Sequence, residues 1–299
     1  MISRRAAILT LAALGLAPPA LAQTKIPIVA TFTVLADFAR EIGGDRVEVS
    51  SIVGPNGDVH VYDPSPADSR AIAAARLVIE NGFYLEGWIS RLAKASGAKA
   101  LVVVATKDVA PREDRGNAEF AAHHGIDPHA WQSVPNAKIY VANIRDGMIA
   151  VDPAGRGEYE ARASAYLTKL DALDAQVRAA IAKISPADRR IITTHDAFGY
   201  FAQTYGMAFV APAGVSTEAE ASARDVGQII AQIRREKFPA VFLENVSDRR
   251  LMDQIARETG AKIGGTLYSD ALSPPDGPAG TYIDMMKHNI SELTKALAP

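Results

Sequence analysis

The chain has 299 residues, a formal charge of −2 from 32 basic and 34 acidic side chains, and no cysteine. That balance argues against nucleic acid or a strongly anionic membrane surface as partners, and any metal site must be built from His, Asp and Glu. With 48% apolar residues, the chain can bury a large core without disulfides.

Residues 1–22 read as a secretory signal peptide. Arg4 and Arg5 give a positive start, and Ala6 to Leu16 is apolar but too short to span a bilayer. Ala20-Leu21-Ala22 supplies the small-x-small pattern, so cleavage is expected after Ala22. Ser3-Arg4-Arg5 leaves both the general secretory and the twin-arginine routes open. No later apolar run is long enough for a membrane span, and no cysteine follows the leader to carry a lipid. The mature protein is therefore expected to be a free monomer in a Gram-negative periplasm, without membrane insertion.

Short apolar runs then alternate with amphipathic stretches, the pattern of an α/β fold with parallel sheets. Strands are expected at Ile26–Thr31, Val47–Val53, Leu77–Glu80 and Leu101–Val104, with helices at Val34–Ile42, from Ser65-Pro66 onward, and at Leu85–Ala95. From about Gly155 to Ile184 the chain changes character. Tyr159, Ala163, Tyr166, Leu170, Leu173, Val177 and Ile181 fall at steps of three or four, which predicts a helix about 45 Å long. Ser185-Pro186 ends it, and strands resume at Arg190–Thr194, Ala208–Val210, Ala240–Leu243 and Ile263–Leu267. Helices should begin near Ala197, Ser222 and Asp248, with a last one at Thr281–Leu297. The expected architecture is two doubly wound (β/α)4-type lobes, residues 23–151 and 185–299, joined by one long rigid helix within 152–184.

Four polar residues each follow a strand: His60, His129, His195 and Asp270. In open parallel sheets, ligand-binding groups collect beyond the carboxyl ends of the strands. A cleft between two lobes would bring His60 and His129 from one side to meet His195 and Asp270 from the other. Three imidazoles and a carboxylate suit Zn2+ and accept Mn2+. A lone histidine after a strand is an ordinary loop residue; four such positions from four strand ends point to one site.

The segments Gly57-Asp58-Val59-His60-Val61-Tyr62, Asp127-Pro128-His129-Ala130-Trp131, His195-Asp196-Ala197-Phe198-Gly199-Tyr200-Phe201, Gly214 to Ala221, and Tyr268-Ser269-Asp270-Ala271-Leu272 occur in this order. Together they resemble the zinc- and manganese-binding cluster of ABC-transporter solute-binding proteins. The resemblance implies two lobes, one linking helix, and His60, His129, His195 and Asp270 as ligands to a metal carried to a cognate inner-membrane permease. Manganese-preferring relatives often have glutamate at the third position, so His195 points to Zn2+, with Mn2+ the alternative. The His-rich loop of many zinc relatives is reduced here to His123-His124, which reads first as a solvated loop and second as an aid to metal capture; a separate metal-loading partner is a further expectation.

Asp58, Asp127, Asp196 and Glu244 are candidates to receive the second ring proton of a ligand histidine. Asp58 and Asp127 equally suit turns beside Gly or Pro. Trp131 is expected to shield the site, and His288 to be structural. A zinc hydrolase is the rival reading, with Glu244 as its base, but Asp270 would fill the position that catalysis leaves open to water. An organic-ligand binder lacks the aromatic platforms it needs, since the chain has two Trp. An adhesin or other structural role rests on secretion alone.

Overall fold

The computed structural model describes residues 24–113, 125–218 and 221–298. The expected signal peptide and the His123-His124 pair lie outside them. Among the described residues, eight strands form two separate four-stranded sheets, each wholly parallel. The first contains β1 (Ile26–Ala30), β2 (Val47–Ser51), β3 (Leu77–Glu80) and β4 (Leu101–Val104), in the order β2-β1-β3-β4. The second repeats that order as β6-β5-β7-β8, from β5 (Arg190–Ile192), β6 (Ala208–Val210), β7 (Ala240–Glu244) and β8 (Lys262–Leu267). All strands of a sheet therefore end on one side, and the loops that follow them carry the chemistry.

The helices of the first half are α1 (Thr33–Gly43), α2 (Pro66–Ala74), α3 (Ile89–Ser96) and α4 (Val134–Val151). Next come α5 (Arg156–Ile181), α6 (Gly199–Tyr205), α7 (Ala223–Glu236), α8 (Arg250–Thr259) and α9 (Tyr282–Leu297). Local chemistry sets several of the starts. Ser65 caps α2 in a reciprocal capping box with Asp68, and Pro66 occupies the first helical position. Ser222 and Asp225 do the same for α7, and the Thr281 hydroxyl accepts the Asp284 N–H at the start of α9.

Two helices depart from the sequence reading. The expected Leu85–Ala95 helix begins only at Ile89, because Phe83 and Tyr84 adopt positive φ (52° and 62°) and Glu86 turns inward. There Glu86 accepts the Thr31 hydroxyl at 2.6 Å and the Asn81 N–H at 2.7 Å. Burial raises its pKa to about 7 against those hydrogen bonds. Helix α4 was not anticipated at all. Its β-branched residues (Val134, Ile139, Val141, Ile144, Ile149, Val151) lower helix propensity, but Val134, Ala137, Tyr140, Val141, Ile144 and Met148 are buried, and the helix packs on α1 and α5. Tertiary packing overrides the local preference.

Helix α5 spans 26 residues, about 39 Å, and all seven residues of its expected apolar stripe are buried. It packs on α1 and α4 of the first half and on α6 and α9 of the second. Full burial of each large aliphatic residue on that stripe contributes about 1.5–3 kcal/mol before chain entropy is subtracted. The main apolar core consequently runs through both halves, from Ile28 to Leu297. A smaller core, including Ile192, Ile233, Val241 and Met252, lies between the second sheet and α7 and α8. In β8 a register shift opposite Val241 and Leu243 coincides with Gly265 at φ 125°, a conformation closed to other residues without strain.

Candidate metal centre

His60 lies in the loop after β2, His129 in the segment between β4 and α4, His195 three residues past β5, and Asp270 three residues past β8. Their tips converge. One ligating atom from each of the four lies within 4.8 Å of the others, and all four residues are buried. The Asp270 carboxylate faces all three rings: Oδ2 is 3.1 Å from His195 Nε2 and 3.4 Å from His60 Nε2, while Oδ1 is 3.4 Å from His129 Nε2. His60 Nε2 and His129 Nε2 are 3.3 Å apart. His60 is 6% exposed, the other three 1% or less, so His60 is the member of the set nearest solvent.

Two of the three rings are held from behind. Asp127 Oδ1 accepts the His129 Nδ1–H at 2.8 Å and the His129 backbone N–H at 2.9 Å, which leaves the Nε2 lone pair facing inward. The Asp127 carboxylate thus fills both the turn role and the ring role. Glu244 Oε1 accepts the backbone N–H groups of Thr194 and His195 at 2.7 and 2.9 Å. Its Oε2 is 2.6 Å from His195 Nδ1, but neither atom makes a directed hydrogen bond, so the contact is an ion pair rather than a straight N–H···O bond. Asp58 supports the His60 backbone N–H at 2.9 Å and does not bond its ring. No hydrogen bond joins Asp196 to a ligand ring; burial raises its pKa, with the Asp127 charge adding to the effect.

Asp270 itself is positioned from the opposite half. The Ser269 carbonyl accepts Trp131 Nε1–H at 3.0 Å and Gln132 Nε2–H at 2.7 Å. Trp131 packs edge-on against His129 with centroids 5.2 Å apart and is fully buried, shielding the ring from water. Asn289 brackets the Tyr268 peptide, accepting its N–H and donating to its carbonyl, both at 2.8 Å. His288 lies away from the site, with Nε2 3.0 Å from the Thr266 carbonyl. Across the cleft, the Thr217 hydroxyl donates to Asp58 at 2.7 Å, and Asn245 donates to the Asn56 side-chain oxygen at 3.1 Å.

The electrostatics are those of a buried, mutually coupled set of acids and bases. Burial pushes the Asp270 pKa up, but His195 and His129 outweigh it and hold the carboxyl well below its usual range. Burial lowers the pKa of His195, but Glu244 and Asp270 outweigh that and hold it well above an ordinary histidine. Both Asp270 oxygens and His195 Nε2 are buried without a directed hydrogen bond. Such orphaned polar atoms are costly unless something else satisfies them.

A family model for the zinc-uptake complex component A, periplasmic, matches residues 28–296. The chain belongs to this family. Its members are substrate-binding proteins of ABC transporters, not enzymes. Among its relatives are the iron-binding protein YfeA of Yersinia pestis, 35% identical over 96% of this chain and 91% of that one, and the zinc-binding protein TroA of Treponema pallidum, 34% identical over 93% and 91%. The manganese-binding lipoprotein MntA of Halalkalibacterium halodurans is 32% identical over 91% and 89%. The solved structure of TroA superimposes with a TM-score of 0.86 at 30% identity, covering 92% of this chain and all of TroA. A manganese-bound variant of the periplasmic metal-binding protein from Candidatus Liberibacter asiaticus gives 0.83 at 29% identity, over 92% and 100%. Membership in the zinc-uptake family thus accords with both the resemblance read from the sequence and the two-lobed parallel-sheet fold. Zinc, manganese and iron all occur in the relatives' names, so the family leaves the metal open.

Three contacts had no counterpart in the sequence reading. Arg112 Nη1 is 2.7 Å from Asp127 Oδ2, Thr217 reaches Asp58, and Gln132 reaches the Ser269 carbonyl. None carries a local signal, since their partners are 15, 159 and 137 residues away.

Proposed function

We propose that this protein is the periplasmic carrier of an ABC importer, binding one Zn2+ through His60, His129, His195 and Asp270 and delivering it to its cognate permease. The observation that carries this reading is the convergence of three imidazole nitrogens and a carboxylate, all buried, within 4.8 Å. A nitrogen-rich four-donor set of that size matches tetrahedral Zn2+. On the division of the mature chain into 23–151, 152–184 and 185–299, each lobe supplies two ligands. With Asp270 as the fourth ligand there is no open position for a catalytic water, which supports transport and not hydrolysis.

Mn2+ is the second reading. Both Asp270 oxygens face ring nitrogens, so a bidentate carboxylate would raise the coordination number towards that preferred by harder ions. The core shared through α5 favours a small tilt of the lobes or a loop shift on loading, sensed by the permease as the loaded state. Cleavage after Ala22 and release into the periplasm complete the proposal; among the described residues, no helix is long and apolar enough to cross a membrane.

Elemental analysis of protein purified from the periplasm, alongside His195→Ala, tests it. About one zinc per chain, lost in the variant, is the expected result. Manganese in its place moves the function to manganese uptake, and no metal after zinc addition refutes the site.

A further inference from the structure

We propose that Arg112 is a positioning residue for the metal site, bracing Asp127 and through it the His129 ring, and that Gly199 in the opposite half is glycine to make room for it. The inference rests on the reading of His129 as a ligand.

Asp127 is fully buried, and a carboxylate there needs a partner for each oxygen. Oδ1 is used by the two His129 donors. Oδ2 accepts from Arg112 Nη1 at 2.7 Å. The main chain reinforces the pairing: the Arg112 carbonyl accepts the Asp127 N–H at 2.8 Å, and Glu113 and Ile126 form an antiparallel bridge beside it. Arg112 therefore holds Asp127 by side chain and backbone together.

The second half closes over this pair. The Arg112 N–H donates to the Tyr200 hydroxyl at 2.8 Å. A Cβ on Gly199 would lie 2.1 Å from Arg112 Nη1, 2.2 Å from its Cζ and 2.5 Å from Asp127 Oδ2. Gly199 opens α6 without positive φ, so backbone conformation does not demand glycine there. Space for the ion pair does. Any side chain at position 199 must push the guanidinium or the carboxylate out of place.

The two buttressed histidines thus differ in kind. Glu244 behind His195 is fixed by the backbone N–H groups of Thr194 and His195, which follow the neighbouring strand β5 of the same sheet. Asp127 behind His129 is fixed by an arginine that is itself wedged between the halves. A shift of α6 away from Arg112 would loosen Asp127 and let the His129 ring turn, so the grip of this ligand depends on the closure of the two halves on each other.

The test uses full-length mature protein with Arg112→Gln, Arg112→Lys, Gly199→Ala and, as a control, His129→Ala. Zinc affinity and chelator-driven zinc release are measured, with the visible d–d spectrum of the Co2+-loaded protein as a reporter of ligand geometry. Arg112→Gln and Gly199→Ala are each expected to weaken zinc binding about 10–100-fold, mainly through faster release, and to change the Co2+ bands. Arg112→Lys, which keeps the charge but not the planar donor geometry, should recover part of the loss. Wild-type affinity and an unaltered Co2+ spectrum in either Arg112→Gln or Gly199→Ala would overturn the proposal, even with a lowered melting temperature. Should Arg112→Gln fail to fold, Gly199→Ala decides, because it keeps both members of the ion pair. If His129→Ala still binds zinc as wild type does, the ligand assignment itself is wrong, a failure distinct from that of the Arg112 role.

Discussion

Asp270→Asn isolates the charge at the centre of the site while keeping its shape. Zinc in a complete four-ligand structural site at neutral pH is bound by about 10–16 kcal/mol, so an equal share for one of four ligands is roughly 2.5–4 kcal/mol. At 1.4 kcal/mol per tenfold, loss of the anionic ligand should weaken zinc binding by about two to three orders of magnitude. The metal-free protein gives a second, independent readout. The depressed pKa of Asp270 contributes stability above its unfolded value near 3.9, lost as pH falls through the folded value. The raised pKa of His195 contributes stability below about 6.5, lost as pH rises through the folded value. Their pairing is therefore fullest between about pH 4 and 6.5, and that is where metal-free Asp270→Asn should lose most melting temperature relative to wild type. Chelator competition gives the affinity, and melts at pH 5.5 and well above neutral give the stability difference. Zinc affinity within threefold of wild type would refute the role of Asp270 as a ligand, and an equal loss of melting temperature at both pH values would refute the ion pair.

Metal loading must expel the proton from His195, so zinc titrated by calorimetry at neutral pH in buffers of different ionisation enthalpy should release close to one proton; a release near zero would count against the raised pKa. Glu244→Gln removes one partner that keeps His195 basic, and should cost about 10–100-fold in zinc affinity while making binding less sensitive to pH near neutrality. Leu170→Ala, in the fully buried stripe of α5, should cost about 2–5 kcal/mol, and the shared core predicts that denaturant melts of both halves shift together. His288→Ala should leave zinc affinity unchanged while lowering the melting temperature, because its ring bonds the Thr266 carbonyl and packs on Tyr268 away from the four proposed ligands.

The sequence by itself determined the elements whose signals are local. Apolar runs marked all eight strands, a three-and-four spacing marked α5, and Ser65, Ser222 and Thr281 marked helix starts through hydrogen bonds made within four residues. The candidate ligands were legible for a related reason: parallel strands all end on one side, which aims His195 and Asp270, just past β5 and β8, at a common place, while His60 and His129 reach it from longer segments after β2 and β4. What only the tertiary structure decided depends on contacts between distant parts of the chain. Helix α4 forms against its own β-branched composition because α1 and α5 bury one face of it. Glu86 delays α3 because Thr31, 55 residues earlier, draws its carboxylate inward. Asp58 and Asp127 stand in similar sequence settings, yet one reaches only the backbone N–H of its histidine and the other grips the ring, a difference set by where each loop folds back. The bracing of His129 by Arg112, and the space that Gly199 leaves for it, arises where the halves carrying the two sheets meet across one core, and no short window of sequence contains both sides of that contact.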